Sequence, residues 1–197
     1  MKILESSVKS YFTFHYGIGF AIGFIFFCGY MILTTRKKKS QGQSVSKKEI
    51  LCGLALSVYL VFLLGGILIG RDFRDEHRIE PIPFWSYYKA IVERDVALAL
   101  QMLGNIVIFI PFGVLLPTAW KRMRNVRCII LIAASVSLSL ELVQLIFKLG
   151  LFEFDDVFHN TLGAVLGYGL FILFHIILFS IVHRTATDAA VKCKGNK

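Results

Sequence analysis

Five stretches of about 20 mostly apolar residues, joined by short polar connections, constrain this chain more than any other feature. They run over residues 14–33, 50–70, 98–117, 126–149 and 157–182. Each is long enough to cross the hydrocarbon of a bilayer as a helix, and a helix satisfies its own backbone there. The composition agrees. The chain has 197 residues, of which 56% are hydrophobic and 18% charged, and its mean hydropathy is +0.67. Soluble domains sit nearer 45–50% apolar and about 25% charged. These values exclude a disordered chain, a disulfide scaffold and an ordinary soluble enzyme. The expected class is an all-α polytopic membrane protein with five transmembrane helices.

The net charge of +9 would suggest a nucleic-acid partner in a soluble protein. In a membrane protein it records topology. Residues 34–49, 118–127 and the tail after His183 together carry fourteen Lys and Arg, against eight on the opposite side. The positive-inside rule places the richer side in the cytoplasm. The N-terminus is then outside and the C-terminus inside, and no nucleic acid is expected. The basic, Ser/Gln-rich stretch 37–48 reads as a cytoplasmic linker that meets anionic lipid. Three parts follow: an N-terminal helix and linker over 1–49, a four-helix membrane domain over 50–182, and a cytoplasmic tail over 183–197. The first apolar stretch is too long for a signal h-region, and Arg36 to Lys39 follow it where small residues would be needed. Cys28, Cys52 and Cys128 lie in or beside spans and Cys193 in the tail, so no disulfide is expected.

Polar residues inside spans are the informative ones, because lipid cannot solvate them. Glu141 is the sole ionisable side chain deep in a span. A charge there costs at least ~2.5 kcal/mol unless it is paired, neutralised or given water. Ala134, Ser137, Glu141, Gln144 and Lys148 form one helical stripe. Gln101, Gly104 and Asn105 share a face near the outer end of the third span, where Asn105 nearly matches the depth of Glu141. The fifth span opens with Asp155 and Asp156, carboxylates suited to a helix N-terminus, followed by His159 and Asn160. The expected site is a polar pocket facing outward, formed by Asn105, Glu141, Gln144, Asp156 and Asn160 with Asp155 at its rim. The competing reading is simple hydrogen bonding between helices. Pro111, Gly113 and Pro117 should kink the third span, and Gly163 and Gly167 should let another helix approach closely or support a homo-oligomer. Trp85, Tyr87, Tyr88 and their neighbours suit the headgroup region, and residues 87–95 suit a short interfacial helix.

Four of these pieces together resemble the VanZ-like family of bacterial membrane proteins. They are Pro81-Ile82-Pro83-Phe84, Asn105 through Pro117, Ser139 through Gln144, and Phe154 through Tyr168. The resemblance covers about residues 50–180. It implies a four-span core, with the first span as an addition. It also implies a multi-pass protein of the plasma membrane and a link to resistance against teicoplanin-type glycopeptides in Gram-positive bacteria. Two departures stand out: Glu80-Pro81 replaces the family's usual Asn-Leu, and Lys148 stands near where the family often has Arg. Lys lacks the bidentate fork of Arg.

The pattern weighs against an enzyme. The Asp155, Asp156, His159, Asn160 stretch superficially resembles a Mg²⁺-dependent lipid transferase site. Such sites need acids from more than one segment, so no metal or other cofactor is expected. The leading reading is a non-enzymatic envelope protein binding a lipid-linked or amphiphilic ligand. The alternatives are a membrane-embedded lipid-modifying enzyme and a small proton-coupled transporter with Glu141 as relay.

Overall fold

The computed structural model describes residues 2–68, 78–80 and 82–195. The mixed-charge run at 71–77 and Pro81 lie outside the described residues. Six helices dominate: α1 (Lys2–Ser40), α2 (Lys47–Leu68), α3 (Trp85–Val92), α4 (Val96–Ala119), α5 (Val126–Ile146) and α6 (Phe154–Gly195). A two-stranded parallel sheet pairs β1 (Arg78–Glu80) with β2 (Leu151–Glu153). Among the described residues four helical segments are long and apolar enough to cross a membrane: Lys47–Gly65, Val96–Ala119, Val126–Ile146 and Phe154–Ile181. The protein is an all-α membrane protein. Its lipid-facing surface is visible as exposed apolar side chains, among them Phe62, Leu103, Leu131, Phe174 and Phe179.

The helix ends follow local chemistry. Ser46 and Glu49 form a capping box at the head of α2: the Ser46 backbone N–H donates to Glu49 Oε2 at 2.8 Å, and the Glu49 N–H returns to Ser46 Oγ at 3.3 Å. Asp95 caps α4 through the Leu98 N–H, and Asn125 caps α5 through the Arg127 N–H. At the end of α5, Lys148 adopts φ +54°. The Leu149 N–H donates to the Gln144 carbonyl and the Lys148 N–H to the Leu145 carbonyl. This is a Schellman stop with Lys where Gly is usual.

Within the basic run, α1 continues through Lys37, Lys38 and Lys39 to Ser40, and Lys38 pairs with Glu49 at 3.2 Å. α4 is a single helix with Pro111 and Pro117 inside it. The segment after His183 continues α6 to Gly195. The short helix expected near residues 87–95 is present as α3, shifted toward the N-terminus.

Across the bundle the helices follow the order α1, α2, α4, α6, α5. α6 lies between α4 and α5, so these consecutive helices barely touch despite their short connection. Small residues explain the insertion. A methyl on Gly113 would overlap the carbonyl of Ala164, one on Gly163 the carbonyl of Ile106, and one on Gly167 the carbonyl of Ile110. Backbone meets backbone along this seam, which only glycine permits. The core beside it is Tyr59, Leu63, Phe109, Phe112, Leu116, Ile129, Ala133 and Ala164. The pairing of β1 with β2 puts both strands at one end of the bundle, so α4 leaves that end and α5 returns to it.

Candidate functional site

The end of the bundle that carries the sheet gathers the polar residues. Asp155 opens α6 and is only 4% exposed. Its carboxylate reaches α3, accepting the Phe84 N–H at 2.6 Å and the Ser86 N–H at 3.0 Å. Phe84 is the N-cap of α3, at φ +65°, and its side chain makes no capping bond. Asp155 supplies the missing acceptor from another segment, where a negative charge also suits the helix N-terminus. Asp155 therefore clasps α3 onto α6.

One turn further along α6, His159 is fully buried. Its Nε2 lies 2.9 Å from the Tyr87 hydroxyl, and its Nδ1 lies 3.9 Å from Asp156 Oδ1, beyond hydrogen-bond reach. Burial, and next the Asp155 carboxylate, push the Tyr87 phenol above its usual pKa. Asn160 donates from Nδ2 to Ser137 Oγ at 2.8 Å, joining α6 to α5. On α5, Glu141 and Gln144 are buried. Glu141 Oε2 accepts the backbone N–H of Glu153 at 3.3 Å, which ties α5 to β2. Glu153 Oε2 in turn accepts from Gln101 Nε2 on α4 at 3.3 Å. Asn105 precedes Ile106, whose carbonyl lies against Gly163, so Asn105 sits level with the turn of α6 that bears Asn160.

Glu141, Asp155, Asp156 and Asn160 thus come together with the sheet and α3 at one end, with Gln144 one turn from Glu141 on the same buried face of α5. Asn105 approaches from α4. Gly113, Gly163 and Gly167 form the packing seam, Pro117 is buried, and Pro111 is exposed. Three buried polar atoms in this region have no hydrogen-bond partner: Asn105 Nδ2, His159 Nδ1 and Asn160 Oδ1. Among the described residues no cluster of three or more His, Cys, Asp or Glu is arranged to hold a metal.

The family model for VanZ/LLP1 matches residues 20–175. This chain belongs to the VanZ/LLP1 family. The match reaches back into α1, some way before the motifs quoted above. Protein VanZ of Enterococcus faecium is 30% identical over 127 residues, which cover 62% of this chain and 74% of that protein. No solved structure matches the chain.

Sequence reasoning about this VanZ-family chain passed over Tyr87 and Glu153 as site residues and named His159 only in the metal-site alternative. His159 had a usable signal, since it stands one turn from the Asp155-Asp156 pair on the same helical face. Tyr87 and Glu153 had none. Their roles arise from contacts with residues far away in sequence, and three-residue strands leave no readable alternation.

Proposed function

We propose that this VanZ-family chain is a non-enzymatic protein of the bacterial plasma membrane that lowers susceptibility to teicoplanin-type glycopeptides. Its working part, in this reading, is the polar cluster at the outer end of α4, α5 and α6. The similarity to Protein VanZ of Enterococcus faecium supports the resistance role. The observation that carries the site is the set of orphaned buried atoms Asn105 Nδ2, His159 Nδ1 and Asn160 Oδ1. A buried polar group without a partner costs roughly 1–3 kcal/mol. Native structures keep few of them, and such groups call for a functional explanation. A polar headgroup presented from the outer leaflet would supply both donors and acceptors. The charge asymmetry of the loops supports the orientation, with the α3 end outside and Lys121 to Arg127 inside. α1 is then a fifth span.

Within this arrangement Glu141 holds β2 at the rim and supplies a buried carboxyl acceptor. Asn105 and Asn160 orient the ligand from facing helices. The test is a deletion strain complemented with wild type, Glu141→Gln or Asn105→Leu, with teicoplanin susceptibility read beside membrane abundance. Wild type restores resistance, and both variants fail to do so at normal abundance. Full resistance with either variant at normal abundance rejects the cluster as the working part.

A further inference from the structure

The unsatisfied groups of the polar cluster differ in what they lack, and that difference names a ligand class. The inference rests on the reading of the cluster as a headgroup site. Asp156 is 5% exposed. Among the described residues its carboxylate accepts no hydrogen bond, and no Lys or Arg lies within ion-pair distance of it. Its one charged neighbour in reach is His159, whose Nδ1 stops at 3.9 Å. Asp155, the adjacent acid, already has its oxygens on the Phe84 and Ser86 N–H groups. A buried carboxylate keeps its charge at low cost only beside a counter-charge, and here the fold supplies none.

Two further atoms open onto the same gap. His159 is fully buried, and its unpartnered Nδ1 is the atom turned toward Asp156. Asn160 is 7% exposed and stands one turn after Asp156 on the same face of α6. Its Nδ2 is used on Ser137, which leaves Oδ1 as a buried acceptor with no donor. Beneath them the backbones of α4 and α6 meet at Gly163 and Ile106 and form a floor. The Asp156 side chain keeps 7% of its surface open, so the carboxylate is reachable. Phe84 and Tyr87 of α3 pack with Phe158 and His159 of α6 at ring-centre separations of 5.3 to 6.0 Å, and aromatic faces attract cations.

We infer that the cluster recognises a primary ammonium on the headgroup it binds, with the ammonium N–H groups donating to the Asp156 carboxylate and Asn160 Oδ1. The unsatisfied atoms select this chemistry. An anionic headgroup sets like charge against Asp155 and Asp156. A neutral hydroxyl satisfies Asn160 Oδ1 and leaves the carboxylate without a counter-charge. A quaternary ammonium brings the charge but no N–H donor. A primary ammonium brings three donors and the missing positive charge together. Asn105 Nδ2, an orphaned donor on the facing helix, then meets an oxygen of the same headgroup.

The experiment uses the full chain purified in detergent and titrated with phosphatidylethanolamine, phosphatidylglycerol or phosphatidylcholine of the same acyl chains, read by native mass spectrometry. One phosphatidylethanolamine is expected to bind at least about tenfold more tightly than either other lipid, the scale of one hydrogen bond to a charged group. Asp156→Asn, equal in size, brings the three within about twofold, while hydrogen exchange in α3 stays as in wild type. Glu93→Gln, which removes an exposed acid outside the cluster, preserves the preference. Excess ethanolamine in solution separates two sources of the ammonium. Displacement of the lipid assigns the site to the amine alone, retention assigns it to an amine carried on a lipid, and both uphold the recognised group. A preference that survives Asp156→Asn overturns the inference, as does a loss with Glu93→Gln as large as with Asp156→Asn. Equal wild-type affinities that Asn105→Leu lowers alike overturn the ammonium and keep the cluster as a headgroup site. Binding of all three lipids unchanged by both Asn105→Leu and Asp156→Asn rejects the headgroup site itself.

Discussion

Replacing Asp155 with Ala removes the clasp between α3 and α6, and the structure allows the effect to be estimated. Two backbone donors lose their acceptor: the Phe84 N–H, at 2.6 Å, and the Ser86 N–H, at 3.0 Å. Ser86 is only 4% exposed, so its N–H finds little water in exchange. Each hydrogen bond to a charged group contributes about 1.5–3 kcal/mol. The Phe84 N–H is partly buried and recovers some of its loss through solvent. A net local destabilisation of about 3 kcal/mol follows, which is about a hundredfold in the opening equilibrium of α3, at about 1.4 kcal/mol per tenfold. Hydrogen exchange by mass spectrometry on the full chain in lipid nanodiscs reads this directly. Amides 84–88 should lose about two decades of protection. Amides along the middle of α4 and α6 should hold theirs, because the glycine seam does not involve Asp155. Asp156→Ala is the internal control, since Asp156 accepts no backbone N–H of α3. A change under threefold at Phe84 and Ser86 refutes the clasp, and so does an equal loss with Asp156→Ala.

Gly163→Ala should lower thermal stability by about 1–3 kcal/mol through overlap with the Ile106 carbonyl, whereas Gly104→Ala, with nothing within 4 Å, should be neutral or mildly stabilising; paired melting curves decide between them. Tyr87 contributes a pH dependence. Its pKa is raised in the folded chain, so the folded form keeps a proton that the unfolded form releases above about pH 10. Stability from this group is complete below that value and declines as pH rises through the folded pKa. Melting curves for wild type should therefore fall more steeply above pH 10 than those for Tyr87→Phe, and parallel curves would show that the phenol is not held neutral by its surroundings.

The membrane class of the fold was plain in the sequence because lipid imposes a crude rule on every residue of a span. The close approach at Gly163 and Gly167 was also legible, since small residues at helical spacing have few other uses in lipid, whereas Gly113 opposite them had been read only as part of a kink. What the sequence could not convey was the partner of each element. Short connections suggested that α4 packs on α5, yet α6 lies between them, because backbone contact along the glycine seam outweighs chain proximity. Asp155 and Asp156 looked alike as charges at a helix start. In the structure one reaches 71 residues back to cap α3, and the other faces His159. Glu141 announced itself by its position in an apolar span, but its acceptor role toward the Glu153 N–H depends on a strand too short to foresee.

The parallel pairing of β1 with β2, together with the Asp155 clasp, sets an order of assembly. Phe84 precedes Asp155 by 71 residues, and a ribosome adding about 5–20 residues per second leaves that gap open for on the order of ten seconds. During that interval β1 and the head of α3 wait at the membrane surface without their partners. They are completed only after α4 and α5 have both been inserted and α6 has begun to emerge. The closed sheet-bearing end is therefore a signature of finished insertion, and any quality-control protease that samples the open α3 segment would be distinguishing unfinished chains from complete ones.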